Sequence, residues 1–407
     1  MGKFLVRGGT ALFGPVTVGG SKNAALPVLF ATLLTEGTSE IINLPDIGDV
    51  RQALNILRSL GAEISASGRR VLINTERLRL SDVPEEYTSS IRASTYLIGS
   101  MLGRFGSCRL SAFGGCSFSK RPIDLHLRAA ESFGAQLVGH TLTRVSPRTA
   151  VHEIGKRSVG ATVNSLLLAA STEGQSRLLG YAEEPHIFTL IDFLRSAGAE
   201  ITVSDGAITV SGGRLHGGRV TIPGDMIEAG TYLAASLVTG GRVRVFGVRD
   251  SELSALISPL SSFGARFSYE AGGVCAVAPP SEPVEITTAP YPGFPTDLAP
   301  IIAPLLATAR GGRITEGVWC ERFGYLTALA ELGVRSRTVL PSSDIFPSEL
   351  RPGTVLAPDL RGGAACLIAA LGADGESVID NAEIILRGYE KPIERLGALG
   401  AEIEYIK

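Results

Sequence analysis

A single cysteine at position 116 stands directly behind Gly114 and Gly115 and is followed by Lys120, Arg121 and Pro122. A thiol on a glycine-rich segment beside two cations has the makings of a reactive group. The positive charges favour the thiolate and lower its pKa, so the sulfur can give up a proton or attack an electrophile. Three further cations occupy an unexpected place. Lys22, Arg92 and Arg361 stand at or just before the first turn of predicted helices, "KNAALPVLFATLL" at 22, "IRASTYLIGSML" at 91 and "RGGAACLIAALGA" at 361. The helix dipole favours Asp or Glu there. One such residue alone reads as a solvated surface charge, because helix-end preferences are weak. Three at equivalent places point to an anionic ligand that turns the cations and the free helix N–H groups into one favourable site.

The elements that must position these groups are repeated. Six segments share an apolar helix end, a glycine, a small residue and the start of a strand: "LRSLGAEI", "AESFGAQL", "LRSAGAEI", "LSSFGARF", "LAELGVRS" and "LGALGAEI". Their glycines, 61, 134, 198, 264, 333 and 400, are 73, 64, 66, 69 and 67 residues apart. A fixed period of this kind is a repeat architecture, and each glycine sits where a helix C-terminus calls for a left-handed residue. A second series interleaves with the first: the three helices quoted above, with "GATVNSLLLAAS" at 160, "IEAGTYLAASLV" at 227 and "DLAPIIAPLLATA" at 297. These are apolar nearly all round, the mark of helices buried among neighbours. Turns such as "TEGT" and "TGGR" and short strands follow them. Three repeats suffice to bury a bundle of such helices inside an outer layer of sheet, so six predict two α/β domains of similar build. The first is expected over residues 22–229 and the second over 230–407, completed by residues 1–21, whose two short strands precede the first buried helix. The chain would then cross between domains twice.

Composition narrows the function. With 407 residues, 19% charged and a net charge of −2, the chain has no overall field for nucleic acid or an anionic membrane. Its longest apolar runs fall short of the roughly 18 to 20 residues that span a bilayer, and "MGKFLVRGG" lacks a signal-peptide core. A soluble, unexported, cytoplasmic protein is expected. Five cysteines without paired spacing suggest free thiols in a reducing compartment. No CxxC or HExxH motif occurs, so no metal site is expected, and no GxGxxG or GxxxxGK[ST] supports a dinucleotide or P-loop site. Cys108, Cys275, Cys320 and Cys366 have no comparable cationic neighbourhood in sequence and read as inert buried thiols.

At ten places in order, the chain resembles the UDP-N-acetylglucosamine enolpyruvyl transferase family, of the same superfamily as 5-enolpyruvylshikimate-3-phosphate synthase. The motifs are "GGSKNAALP" at 19, "NLPDIGDV" at 43, "IRAS" at 91, "GGCSFSKRPIDLHL" at 114, "SVGAT" at 158, "IEAGTYL" at 227, "YPGFPTD" at 291, "ERF" at 321, "DLR" at 359 and "RGYE" at 387. The resemblance implies two inside-out α/β barrel domains of three repeats each, helices buried and sheets outside. It also implies transfer of the enolpyruvyl group of phosphoenolpyruvate to the sugar 3-hydroxyl with loss of phosphate, the first committed step of peptidoglycan precursor synthesis. In that mechanism the vinyl carbon is protonated, the hydroxyl adds, and phosphate leaves a tetrahedral intermediate. One acid and one base are needed, and no cofactor.

The same resemblance distributes the roles. Cys116 matches the acid. Asp297 matches the aspartate near the 3-hydroxyl, against a plain helix-start carboxylate. Lys22, Arg92, Arg121, Arg361 and Arg387 are the cations for a trianion and a diphosphate. Asn23 and Val318 match residues around the amino sugar, and Arg322 a further substrate contact. Arg121, Pro122, Ile123, Asp124 and Leu125 match the uridine-facing segment; Lys156, Ser158, Val159 and Gly160 match the diphosphate turn. Asp49 and Asp359 match acids beside the cations, against structural charge pairing. His126 reads as a structural residue at the base of the segment. Ala112-Phe113, Ser119-Lys120 and Met226 depart from the family's common residues. Two other readings stay open: a paralogue with a different nucleotide acceptor, and a non-catalytic regulatory copy. The oligomeric state is left open.

Overall fold

The computed structural model describes residues 2–110 and 122–407. The chain forms two units, one built from residues 20–223 and the other from residues 2–19 with 224–407. The sequence pattern places the joins a few residues later, at 21/22 and 229/230.

In the 20–223 unit the buried helices are Lys22–Ala31, Leu97–Phe105 and Val159–Ala170; in the other they are Met226–Val238, Ala299–Thr308 and Leu360–Gly372. Their apolar residues leave no polar face to offer water. Every residue from Ala161 to Ala170, and from Ala299 to Ala307, is buried. The predicted helix at 91 differs at its start, where Arg92–Tyr96 is a 3-10 turn that becomes α-helical only at Leu97. The Ser94 hydroxyl donates to the Ile91 carbonyl (2.7 Å) and that of Thr95 to the Arg92 carbonyl (3.0 Å). Such short-range bonds compete with regular α geometry.

Outside the helices lie sheets with a recurring plan: an antiparallel core flanked by one parallel edge strand. In the 20–223 unit, Arg219–Thr221 lies parallel to Thr38–Ile42, which is followed across the sheet by Arg70–Asn74 and Glu63–Ser67. The last strand of the unit thus pairs with its first repeat, with Val220 opposite Ile41. In the other unit the chain's two ends meet: Lys3–Gly8 lies between Gly375–Asp380 and Glu402–Ile406, with Leu5 opposite Val378 and Glu404. Phe13–Thr17 runs parallel to Arg242–Phe246. All six repeat glycines have positive φ, from 88° for Gly134 and Gly264 to 107° for Gly198. Each unit closes its own hydrophobic core, centred on Phe30, Phe133 and Phe193 in one and on Phe4, Leu329 and Tyr325 in the other. No helix is long and apolar enough to cross a membrane among the described residues.

Candidate functional site

In the 2–19/224–407 unit, three of the expected residues converge. Asp297 lies two residues ahead of the Ala299–Thr308 helix, whose N-cap is Leu298 and carries no side-chain cap. It is therefore not a capping carboxylate. Its Oδ1 accepts from Arg322 Nη1 at 2.9 Å and its Oδ2 from Arg361 Nε at 3.2 Å. Both guanidinium groups are almost wholly buried, at 3% and 2% exposure, whereas the carboxylate keeps 28%. Water, or a ligand, reaches the acid more readily than the bases that hold it.

Arg361 enters this cluster from the first turn of the Leu360–Gly372 helix, which Asp359 caps by accepting from Arg361 N (2.9 Å) and Gly362 N (3.0 Å). The Asp359 side chain thus orients the helix start that carries the cation. Burial opposes the Arg361 charge, but Tyr389, Asp297 and Asp225 outweigh it and hold its pKa above the ordinary arginine range. Its guanidinium carbon lies 5.5 Å from the centre of the Tyr389 ring. Nη1 and Nη2 find no hydrogen-bond partner among the described residues. Buried donors left in that condition are costly, so they are primed for an acceptor.

Behind the cluster stands a network that sequence reasoning missed. Glu316, at the end of the Gly312–Glu316 strand, accepts from Thr288 (2.7 Å) and Thr296 (3.0 and 3.1 Å), and Thr296 in turn accepts from Arg322 (3.0 Å). Burial raises the Glu316 pKa above the usual carboxylate range. An acid ending an alternating strand gave no signal of its own, although Thr296 lies inside the quoted "YPGFPTD". Val318, half-buried, and Arg322 follow that strand in its turn. Arg387 is half-buried at the end of the short Glu383–Leu386 helix, two residues before Tyr389.

In the 20–223 unit a second group gathers around His126. The Asp124–Ser132 helix begins with Asp124, Leu125 and His126, and the Ile123 carbonyl accepts from the His126 and Leu127 amides at 2.9 and 3.0 Å. Arg92 Nη2 donates to the Pro122 carbonyl at 3.3 Å, and burial lowers the Arg92 pKa below its ordinary value. Beside these runs the turn 155–158. Lys156 and Arg157 have φ of 59° and 46°, a left-handed pair of side-chain-bearing residues. Each costs of order 1 kcal/mol, and such strain concentrates at functional sites. Ser158 caps the Val159–Ala170 helix by accepting from Ala161 N at 3.4 Å. Lys156 is exposed; Ser158, Val159 and Gly160 are half-buried. The arrangement offers an exposed ammonium and a helix N-terminus to an anion.

Asn164 is a second residue the sequence reading passed over. Fully buried, it donates to Thr95 O (3.2 Å) and Gly160 O (3.0 Å) and accepts from Gly99 N (2.6 Å). It thereby ties the Arg92 segment to the turn. A lone asparagine inside "GATVNSLLLAAS" was its signal. Elsewhere in this unit, Lys22 opens its helix and lies 3.4 Å from Asp49 Oδ2, with Asn23 half-buried beside it. Asp49 is buried in the first turn of Gly48–Ser59.

Cys116, Lys120 and Arg121 lie outside the described residues. Of the other cysteines, Cys108, Cys275 and Cys366 are buried, and burial pushes the thiols of Cys108 and Cys366 up to about 12. Cys320 corrects the expectation: it is exposed, because it sits in the turn that leaves the Gly312–Glu316 strand and not in the core.

The sequence pattern of the EPSP synthase (3-phosphoshikimate 1-carboxyvinyltransferase) family matches residues 6–396. A UDP-N-acetylglucosamine 1-carboxyvinyltransferase from Halothermothrix orenii is 37% identical over 415 residues, covering 100% of both chains. A UDP-N-acetylglucosamine 1-carboxyvinyltransferase 3 from Caldanaerobacter subterraneus is 39% identical over 417 residues, again with 100% of each covered. Among solved structures, the enolpyruvyl transferase NikO from Streptomyces tendae superposes with a TM-score of 0.88 at 26% identity, over 100% of this chain and 99% of that one.

Proposed function

We infer the activity from one premise, that the chain belongs to the EPSP synthase family of carboxyvinyl transferases, whose pattern spans residues 6–396. Within it, the protein transfers the enolpyruvyl group of phosphoenolpyruvate to the 3-hydroxyl of UDP-N-acetylglucosamine and releases phosphate. The observation that carries this reading is full-length identity of 37% and 39% to enzymes named for that acceptor. The reaction supplies precursor for peptidoglycan, and we assign it to the cytoplasm, consistent with the lack of paired cysteine spacing.

The proposed roles follow from what each group can donate or accept. Asp297, partly exposed between two arginines, takes the proton of the attacking hydroxyl. As the proton arrives the carboxylate loses charge, and Arg361, whose two terminal nitrogens lack partners among the described residues, gives its donors to the phosphate or carboxylate oxygens of phosphoenolpyruvate. Arg322 keeps Asp297 in place. Lys22 and Arg387 are further cations offered to anionic oxygens of the substrates, and Asn23 and Val318 are contacts offered to the amino sugar. The 122–125 segment takes the uridine, and Lys156 with the Ser158–Gly160 amides takes the diphosphate; Arg92 and Arg121 complete that anion site. Cys116 protonates the vinyl carbon. Enolpyruvyl transfer by this route draws on the chain's own acid and base and uses no cofactor.

The deciding assay is phosphate release on mixing the protein with phosphoenolpyruvate and UDP-N-acetylglucosamine. Release that depends on both substrates is expected. Turnover with shikimate 3-phosphate or UMP comparable to that with the nucleotide sugar would overturn the choice of acceptor, since each leaves polar groups of the site unpaired.

A further inference from the structure

His126 was read as a structural residue, yet its surroundings are unusual for one. The ring is only 7% exposed, and its Nδ1 has no hydrogen-bond partner among the described residues. Its Nε2 edge lies so close to the Val159–Ala170 helix that a methyl group on Gly160 would come within 2.3 Å of it. One residue earlier on the same helix, Leu125 Cδ2 lies 3.6 Å from the position a methyl on Gly155 would take. The first turn of the Asp124–Ser132 helix therefore packs along both ends of the strained 155–160 turn. Arg92 and Asp124 supply the charges felt by the ring.

Three elements thus meet at Gly160. Asn164 binds its carbonyl and, through Thr95 O, fixes the segment that carries Arg92. His126 closes the remaining side. We propose that His126 is a positioning residue for the nucleotide-sugar subsite: its ring sets the distance between Arg92 and the Ser158–Gly160 amides by filling the space that glycine leaves at 160. This rests on the acceptor reading of the preceding subsection. The glycine is then required as the partner of the ring. Gly160 has φ in the ordinary negative range, so conformational freedom does not explain it.

The physical argument is one of spacing. An anion bridging a guanidinium and a helix N-terminus is held well only if both reach it at hydrogen-bond distance together, and a displacement of about 1 Å can cost a hundredfold in a positioned site. A missing ring would let the 122–125 segment settle toward the helix and carry the Pro122 carbonyl, which Arg92 grips, along with it.

The test uses the full chain and two readouts, calorimetric binding of UDP-N-acetylglucosamine and steady-state kinetics. His126→Ala should weaken nucleotide-sugar binding and raise its KM by about tenfold or more, while kcat and the KM for phosphoenolpyruvate stay within about threefold. Gly160→Ala, which keeps every polar group of His126 but displaces the ring, should reproduce the loss. A residue that serves stability alone would lower the melting temperature and leave both KM values of the folded enzyme unchanged; that result would overturn the proposal. If neither variant folds, the wild-type protein still decides: the ring nitrogens of His126, followed by nitrogen NMR, should shift with UDP-N-acetylglucosamine and not with phosphoenolpyruvate alone, and unmoved resonances would count against it. Wild-type protein that binds no nucleotide sugar would overturn the acceptor reading and this inference together. Normal binding by a folded His126→Ala protein would overturn the inference alone.

Discussion

The two charged regions arrange their ionic groups in opposite ways. Around Asp297 the cations are buried and already engaged with a carboxylate, and the two terminal nitrogens of Arg361 are without a hydrogen-bond partner among the described residues. Around His126 the charge is nearer the surface, and the buried parts are neutral spacers, the imidazole ring and Asn164. The first region resists rearrangement because removing either partner strands a charge away from water. The second relies on backbone amides and a strained turn, so errors there change fit more than charge. The proposed proton transfer draws on the first arrangement, and the proposed recognition of the nucleotide sugar on the second.

The largest effect should come from the Asp297 carboxylate. Asp297→Asn keeps the shape and loses the charge, and turnover should drop by at least about a hundredfold while nucleotide-sugar binding, measured separately, persists. Retained turnover in a folded variant would place the base elsewhere. Next, Arg322→Ala should destabilise the fold by roughly 3 kcal/mol or more, because Asp297 and Glu316 lose a buried counter-charge. Denaturant unfolding checks this, and a change below about 1 kcal/mol would mean that the cluster relaxes freely.

His126 gives the pH test. Burial first, then the Arg92 charge, lowers its pKa to about 4 against an ordinary 6.5, with Asp124 opposing. A group whose folded pKa is depressed contributes stability above the unfolded value and loses it as pH falls. Stability should therefore decline between about pH 6.5 and pH 4, by up to roughly 3 kcal/mol from this residue, and His126→Asn should flatten that part of the curve. An unchanged slope in the variant would assign the acid sensitivity to other groups. Arg92→Ala should be milder, raising the nucleotide-sugar KM by about tenfold with little loss of stability, since its guanidinium is half-exposed.

The smallest effect concerns the thiols. A mild alkylating reagent should label Cys320 in the native protein and spare Cys108 and Cys366, with no loss of activity from the Cys320 adduct. Fosfomycin, an electrophilic phosphonate epoxide, should instead label Cys116 with loss of activity. Peptide mapping separates these outcomes, and fosfomycin found on Cys108 or Cys366 would sink the assignment of Cys116.

Local rules carried far into this molecule. The six repeat glycines are left-handed because a helix that must turn into a strand needs a residue without a Cβ there, and that requirement is written in five or six neighbouring residues. The buried helices were equally legible, since a segment with no polar face has nowhere else to go. The exposure of Cys320 was not, because flanking residues do not reveal whether a turn lies over the core. Nor were Glu316 and Asn164, whose polar atoms gain meaning only from partners on other elements. Asp297, Arg322 and Arg361 are separated by 25 and 64 positions along the chain, and nothing in that spacing brings them within 3.2 Å. Sequence alone determined the repeat, the helices and the residue types able to do the chemistry, because those depend on periodicity and local conformation. Tertiary structure decided which of the charges face one another and which are shut away from water, because the strength of a charge depends on its partners and its solvent, and both are fixed only when distant segments pack.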